Sequence, residues 1–477
     1  MTTHEQAPGP GQAPAAPAGA WQADPPPAAS PAASPTAPVG APVGAPVGAP
    51  VGAPVGVREA EPPGAERPGA ERAGAAPAGP PEAGPPRSAT TGPEGAGAPP
   101  AQRRQGRDRY LDLLRSIALV RVVVYHVFGW AWLTILFPSM GVMFALAGML
   151  MARSLDRPAR QVIMSRVRRL LPPLWAFGAV TLTVLLVGGW NPLKDTGDGA
   201  AWGLVRVLSY LVPFGAPPYP PGDDWAMQAA GPLWYLRAYL WFVLASPLLL
   251  WAFRRVPWAV LAAPLALTAV VGTGLVAIPG ETGEAVTDFA VYGGCWVLGF
   301  AHHDGLLKRI PRYAAVSWGF LVMAFGLWWA SGHAGAGGWN LNEIPLAQAA
   351  WSFGFVLILL QYAPSWERLP GRLAKWDGLV TLSNNRAVTI YLWHNLLIFV
   401  AGLVVSQGYR LPFLAGERGD AALDATYSMW TFVVVWPLIA LAVLAFGWIE
   451  DVAARRRPRL WPNGTAGNRA GRRARRT

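Results

Sequence analysis

Residues 426–450 read TYSMWTFVVVWPLIALAVLAFGWIE, with no charged side chain before the final Glu450. A helix over this stretch would rise about 37 Å, against a hydrocarbon core about 30 Å thick. Working outward, stretches of the same character recur at 111–133, 138–155, 170–190, 231–253, 257–278, 286–303, 313–331, 345–362 and 379–405. The stretches 138–155 and 286–303 are short, and 379–405 is interrupted by the polar run Asn384, Asn385 and Arg386. The pattern predicts an all-α fold: a polytopic integral membrane protein of about ten transmembrane helices. Composition agrees, since 52% of residues are hydrophobic and only 14% charged, against about 25% charged in soluble domains. The 24 tryptophans fit a chain that places aromatic rings at membrane interfaces. The single cysteine, Cys295, excludes an intramolecular disulfide framework and reads as a small core residue.

Three regions follow. Residues 1–105 form a Pro/Ala/Gly-rich arm with five consecutive Ala-Pro-Val-Gly copies from Ala37 to Gly56. Proline removes backbone donors and glycine widens the unfolded ensemble, so the arm is expected to be disordered. Residues 106–452 hold the membrane unit, and residues 453–477 a basic tail. No charged n-region followed by an apolar h-region opens the chain, so targeting is expected to fall to the first span.

The net charge of +12 raises the question of a nucleic-acid partner, and the placement of the charge answers it. Alternate loops carry Arg103, Arg104, Arg107 and Arg109, then Arg153, Arg157, Arg160, Arg166, Arg168 and Arg169, then Arg254 and Arg255. They continue with Lys308, Arg309 and Arg312, then Arg368, Arg372 and Lys375, and finally the tail arginines. The intervening loops hold few, such as Lys194, Arg206, Arg410 and Arg418. This alternation is the positive-inside signature. It predicts both termini in the cytoplasm of a protein integral to the plasma membrane, with lipid rather than nucleic acid as the basic surface's partner.

Within the first span, Arg115 and His126 are eleven positions apart, close to three helical turns, so they share one helix face about 16 Å apart along the axis. Arg115 then lies near the cytoplasmic surface and His126 near the bilayer midplane. An ionisable group at that depth marks a functional site by default, and an imidazole can accept a proton from an attacking hydroxyl. The competing reading is a structural histidine bonded to a neighbouring helix. Arg166 and Arg169 are spaced i,i+3 and would point the same way. Paired guanidinium groups suit a phosphate-bearing ligand, though membrane-surface anchoring explains them too. Arg121, Arg237, Glu450 and Asp451 must each be paired or face an aqueous cavity; Glu450 could pair with an arginine or orient His126. His394, beside Tyr391 and Trp393, reads as an inter-helix hydrogen-bonding residue. His302 and His303 fall at a helix end, where the helix dipole suffices. No HExxH, Cys/His cluster or Asp-rich loop suggests a metal, and no P-loop, GxSxG or GxGxxG is present.

Taken in order, these pieces form a pattern. Leu111-Asp112-Leu113-Leu114-Arg115 with His126, Pro138 to Phe144, Arg166-x-x-Arg169, Gly231 to Arg237, Tyr391-Leu392-Trp393-His394 and the late Glu450 resemble the acyltransferase 3 family of integral membrane acyltransferases. The resemblance covers about Arg107 to Arg459. It implies an O-acyltransferase that takes an acyl group, in the first place acetyl, from cytoplasmic acyl-CoA. The implied acceptor is a hydroxyl of an extracytoplasmic or lipid-linked carbohydrate, and no bound cofactor is implied. It makes His126 the catalytic base, places Arg115, Arg166 and Arg169 on the donor path, and gives Glu450 a supporting role. The sequence departs from the family where Ser-Gly is frequent in the second span, having Ala147-Gly148, and it lacks the proline that often follows the late acid. No SGNH-type domain follows the last span, so transfer is expected to end within the membrane unit. The expected mechanism is direct transfer, because about 16 Å is comparable to the reach of a pantetheine arm; an acyl-histidine intermediate is the other route. The alternatives from other classes are a glycolipid or polysaccharide transporter or flippase, and a polysaccharide polymerase. A transporter would be expected to show paired broken helices or internal repeats.

Overall fold

The computed structural model describes residues 108–194, 200–220, 222–335, 337–412 and 416–463. The arm 1–105 and the tail arginines from Arg469 onward lie outside the described residues. Among the described residues there are helices and turns and no strand. The principal helices are α1 (Arg109–Phe128), α2 (Ser139–Ser154), α3 (Ala159–Val187), α4 (Leu233–Arg255) and α5 (Pro257–Gly272). They continue with α6 (Gly280–His303), α7 (Arg312–His333), α8 (Pro345–Gln361), α9 (Ala387–Ser406) and α10 (Glu417–Phe446).

A helix therefore stands at each stretch read from hydropathy. By length and composition, six helical segments can cross a membrane: Trp132–Ser154, Ala159–Val187, Asp224–Arg255, Arg312–His333, Ala387–Arg410 and Glu417–Phe446. Helices α5 and α8 are apolar but shorter. Helices α1 and α6 are long enough but hold Asp112, Arg115 and Arg121, and Glu281, Glu284 and Asp288, within their length. Helix α6 is an inner helix, buried without interruption from Ala290 to Ala301, whereas α1 buries one face, with Asp112 and Ser116 on it, and exposes Ile117 and Val120. A helix walled in by protein can carry charge that a lipid-facing helix cannot.

Close backbone approach fixes the centre of the bundle. A Cβ on Gly148 of α2 would stand 2.2 Å from the Trp296 carbonyl oxygen of α6. A Cβ on Gly299 of α6 would stand 2.2 Å from the Ala145 carbonyl of α2. Small residues at a helix crossing let two backbones pack directly, the usual glue between helices in lipid. The Ala147-Gly148 departure thus keeps the residue that the crossing requires. Gly148→Val is expected to lower stability by about 1–3 kcal/mol or more through overpacking, seen as a reduced Tm in detergent. A Tm equal to wild type would mean that α2 and α6 separate at little cost.

Several boundaries differ from the sequence reading: α3 starts at Ala159 rather than 170 and α10 at Glu417 rather than 426, and two further differences bear on the site. Helix α1 stops at Phe128 rather than 133, because Gly129 adopts φ +63 and turns the chain into the short helix Trp132–Leu136. Only glycine adopts this left-handed conformation without strain. The expected interruption at Asn384–Arg386 is a real break, between the short helix Asp377–Asn385 and α9. The last span ends at Phe446, and after Gly447 the chain restarts as the helix Trp448–Ala453. At that break the Arg386 side chain fills the space beside Gly447, where a Cβ would meet Arg386 Cδ at 2.7 Å.

Candidate active site

Helix α1 runs parallel to the helix Asp377–Asn385 and its continuation α9, and the two share a polar seam. At its start Arg109 Nε donates to Asp377 Oδ1 at 3.1 Å and Arg109 Nη1 to Asp112 Oδ2 at 2.9 Å. Further along, Arg115 Nη1 donates to Asn384 Oδ1 at 2.9 Å, and Asn384 Nδ2 donates to the Asp112 carbonyl at 2.8 Å and Ser116 Oγ at 2.9 Å. Ser116 and Ser383 hydroxyls meet at 2.7 Å. At the far end the rings of His126 and His394 stand 5.2 Å apart, inclined at 59°. The contacts advance in step along both chains, from 109 with 377, through 115 with 384, to 126 with 394. This places Arg115 and His126 on one face, as their spacing requires.

His126 occupies the last turn of α1, yet it is level with the middle of α9. Its neighbours are Tyr125 and His394, and the side chain is nonetheless exposed. The ring is open at the end of α1, beside α9, which continues to Ser406, and this open end of α1 is what we take as the recess of the site. The rim beyond it is aromatic: Phe128 stacks on Trp130 at 4.3 Å, Trp130 on Trp132 at 5.5 Å, and Phe128 meets Phe432 of α10 at 5.5 Å. Arg121 lies 4.9 Å from the Tyr125 ring centre and donates from Nε to the Leu133 carbonyl at 3.3 Å. Arg237 is held by Asp288 at 2.7 Å. Arg121 and Arg237, each within a helix, are thus both engaged.

On the Arg115 side, aromatic rings form a continuous wall. Tyr391 lies 5.3 Å from His394, Tyr235 of α4 lies 4.8 Å from Tyr391, and Tyr239 stacks on Tyr235 at 6.4 Å. Arg115 is within electrostatic reach of Tyr235, and Arg169 of Tyr239. Of the expected basic pair, Arg166 Nη2 donates to the Leu150 carbonyl at 3.1 Å and Ser154 Oγ at 3.0 Å. It ties the last turn of α2 to α3. Arg169 is exposed, with Arg166, Arg168 and Arg456 as its charged neighbours. No carboxylate stands among them, so the cluster suits an anion.

Glu450 lies elsewhere than beside His126. Its Oε1 accepts the Thr389 amide at 2.8 Å and the Thr389 hydroxyl at 2.6 Å. Thr389 precedes His394 by five positions, about 7.5 Å along α9 and about 140° around it. The carboxylate therefore caps the first turn of α9, where backbone amides lack intrahelical partners. Beside it Arg386, wholly buried, donates from Nη2 to Asp451 Oδ2 at 2.7 Å. Together the two carboxylates fasten the start of the helix that presents His394.

Sequence reasoning did not single out the His126–His394 pairing, the arginine latch to Asp451, or Arg456. The available signals were the second intramembrane histidine and a buried arginine within a polar interruption. No group of three or more His, Cys, Asp or Glu able to hold a metal occurs among the described residues. A family model described as an acyltransferase domain matches residues 108–449, which is the whole seam with both histidines and ends one residue before Glu450. Comparison with curated proteins and with solved structures gave no match.

Proposed function

From the premise that the chain belongs to the acyltransferase 3 family, and is a membrane acyltransferase in general terms, we propose a specific reaction for it. The protein moves an acyl group, in the first place acetyl, from acyl-CoA on the cytoplasmic side to a hydroxyl of an extracytoplasmic or lipid-linked carbohydrate. In this reading the chain crosses the plasma membrane ten times with both termini in the cytoplasm, and the arginine-rich end of the seam faces the donor. The observation that supports it is the exposed imidazole of His126 at the end of α1, on the face of that helix that also carries Arg115, about 16 Å away.

The step balances within these residues. His126 accepts the proton of the acceptor hydroxyl as its oxygen attacks the thioester carbonyl, and a carbon–oxygen bond forms. The carbon–sulfur bond breaks, sulfur leaves with the electron pair, and the His126 imidazolium returns the proton to give free thiol. Arg169, with Arg115 and Arg166 along the path, holds the donor's phosphates. Glu450 acts at a distance, as a positioning residue that caps α9.

The test supplies labelled acetyl-CoA and a native glycan and lipid extract to membranes containing the protein. Label in an extractable ester is expected, and none above empty membranes. Absence of label with several acyl-CoA donors would overturn the reading in favour of transport. Within an active preparation, Arg169→Ala is expected to raise the KM for acyl-CoA roughly 10–100-fold, with a smaller change in kcat. An unchanged KM would remove Arg169 from the donor site.

A further inference from the structure

His394 has a geometry that its neighbourhood alone does not explain. The side chain is 1% exposed. Its Nδ1 lies 2.5 Å from the Tyr391 carbonyl oxygen, which can only accept, so Nδ1 carries the proton. Nε2 is then the unprotonated nitrogen, an acceptor. That Nε2 is buried and has no hydrogen-bond partner among the described residues, an arrangement that costs free energy unless something fills it. Tyr391 adjoins it on the same helix at 5.3 Å, and the polar ring beside it from another helix is His126, 5.2 Å away between centres. When ring nitrogens point at each other, that separation leaves about 3 Å between them, hydrogen-bond length. The His126 ring, exposed into the recess and without a hydrogen bond of its own among the described residues, is free to turn and meet it.

We propose that His394 is a positioning residue for His126: its Nε2 accepts the N–H of the His126 ring and so fixes which His126 nitrogen is free. The free nitrogen is then the one turned away from α9, into the recess where an acceptor hydroxyl arrives. A base oriented by a third group is the recurring logic of activated nucleophiles. Here the third group is neutral rather than a carboxylate. When His126 takes up the hydroxyl proton, the nitrogen facing His394 keeps its hydrogen, and the bond to Nε2 strengthens with the new charge. The fastening of α9 by Glu450 and Arg386 gives this contact its rigidity. The inference rests on the acyl-transfer reading above.

The test compares His394→Gln and His394→Asn in the purified full-length protein, measuring kcat, KM and Tm. Glutamine presents its Oε1 at about the reach of the missing Nε2, whereas asparagine stops near the Nδ1 position. Asparagine is expected to lower kcat at least tenfold with KM for acyl-CoA within twofold, and glutamine to recover most of the loss. A histidine that only packs would give two equally impaired variants, or two unimpaired ones, and either outcome overturns the proposal. A rise in KM without loss of kcat overturns it as well. If wild type itself transfers no label, the acyl-transfer reading fails first. If wild type is active and the two variants do not separate, only the role of His394 fails.

Discussion

His126→Ala and His126→Gln are expected to lower kcat by about 10²–10⁴-fold, with the KM for acyl-CoA nearly unchanged and the Tm within a few degrees of wild type. The size follows from the role: a positioned general base acts in the transition state, so removing it lowers kcat and leaves ground-state binding alone. The unchanged KM follows from distance, because the arginine end of the seam is about 16 Å from the ring. The unchanged Tm follows from exposure. His126 faces a recess and takes no hydrogen bond among the described residues, and exposed substitutions of that kind change stability by about 0.5 kcal/mol or less. Turnover equal to wild type in both variants would remove His126 as the base. A parallel fall in Tm and kcat would mean that the histidine holds α1 in place instead.

The sequence made those features legible that repeat along one helix. Apolar runs marked where helices stand, and eleven-residue spacing put Arg115 and His126 on one face before any partner was known. The polar run Asn384–Arg386 marked a break because three polar residues in lipid need partners, and they have them in Arg115, the Pro462 carbonyl and Asp451. What stayed hidden depends on contact between distant segments. Nothing local to His394 says that its ring meets His126, and nothing local to Glu450 says that it caps α9. The i,i+3 spacing of Arg166 and Arg169 suggested a common direction, but the C-terminal turn of α2 binds Arg166 and leaves Arg169 open. The end of α1 was misplaced for a different reason. Residues 130–133 are as apolar as those before them, so hydropathy runs on where the left-handed Gly129 turns the chain.

Arg386→Met is expected to cost about 3–5 kcal/mol, because it leaves the buried Asp451 without its main counter-ion, with only Arg459 Nη2 at 3.7 Å remaining. The Tm in detergent should fall by roughly 5–15 °C. Arg386 is wholly buried and Asp451 is 2% exposed, so neither charge can turn to water when the other is lost. Burial tends to raise the Asp451 carboxyl, but the hydrogen bond and charge of Arg386, with further help from Arg459, hold it below the ordinary carboxylate value. A depressed carboxylate stabilises the fold above its unfolded value of about 3.9, and that contribution is lost as the pH falls through the folded value. The latch should therefore be intact at neutral pH and weaken only in strong acid. The double variant Arg386→Met with Asp451→Leu removes both charges, and apolar replacement of a buried pair is often close to neutral. Its Tm is expected to return most of the way to wild type. Turnover is expected to stay several-fold low, because apolar contact holds two segments together without fixing the direction in which α9 leaves the break. An unchanged Tm in the single variant would show the pair to be dispensable. Full recovery of turnover in the double variant would show that the pair contributes stability and no orientation, and His394 would then owe its position to packing with Phe177 and Tyr235 through its neighbours Trp393 and Tyr391.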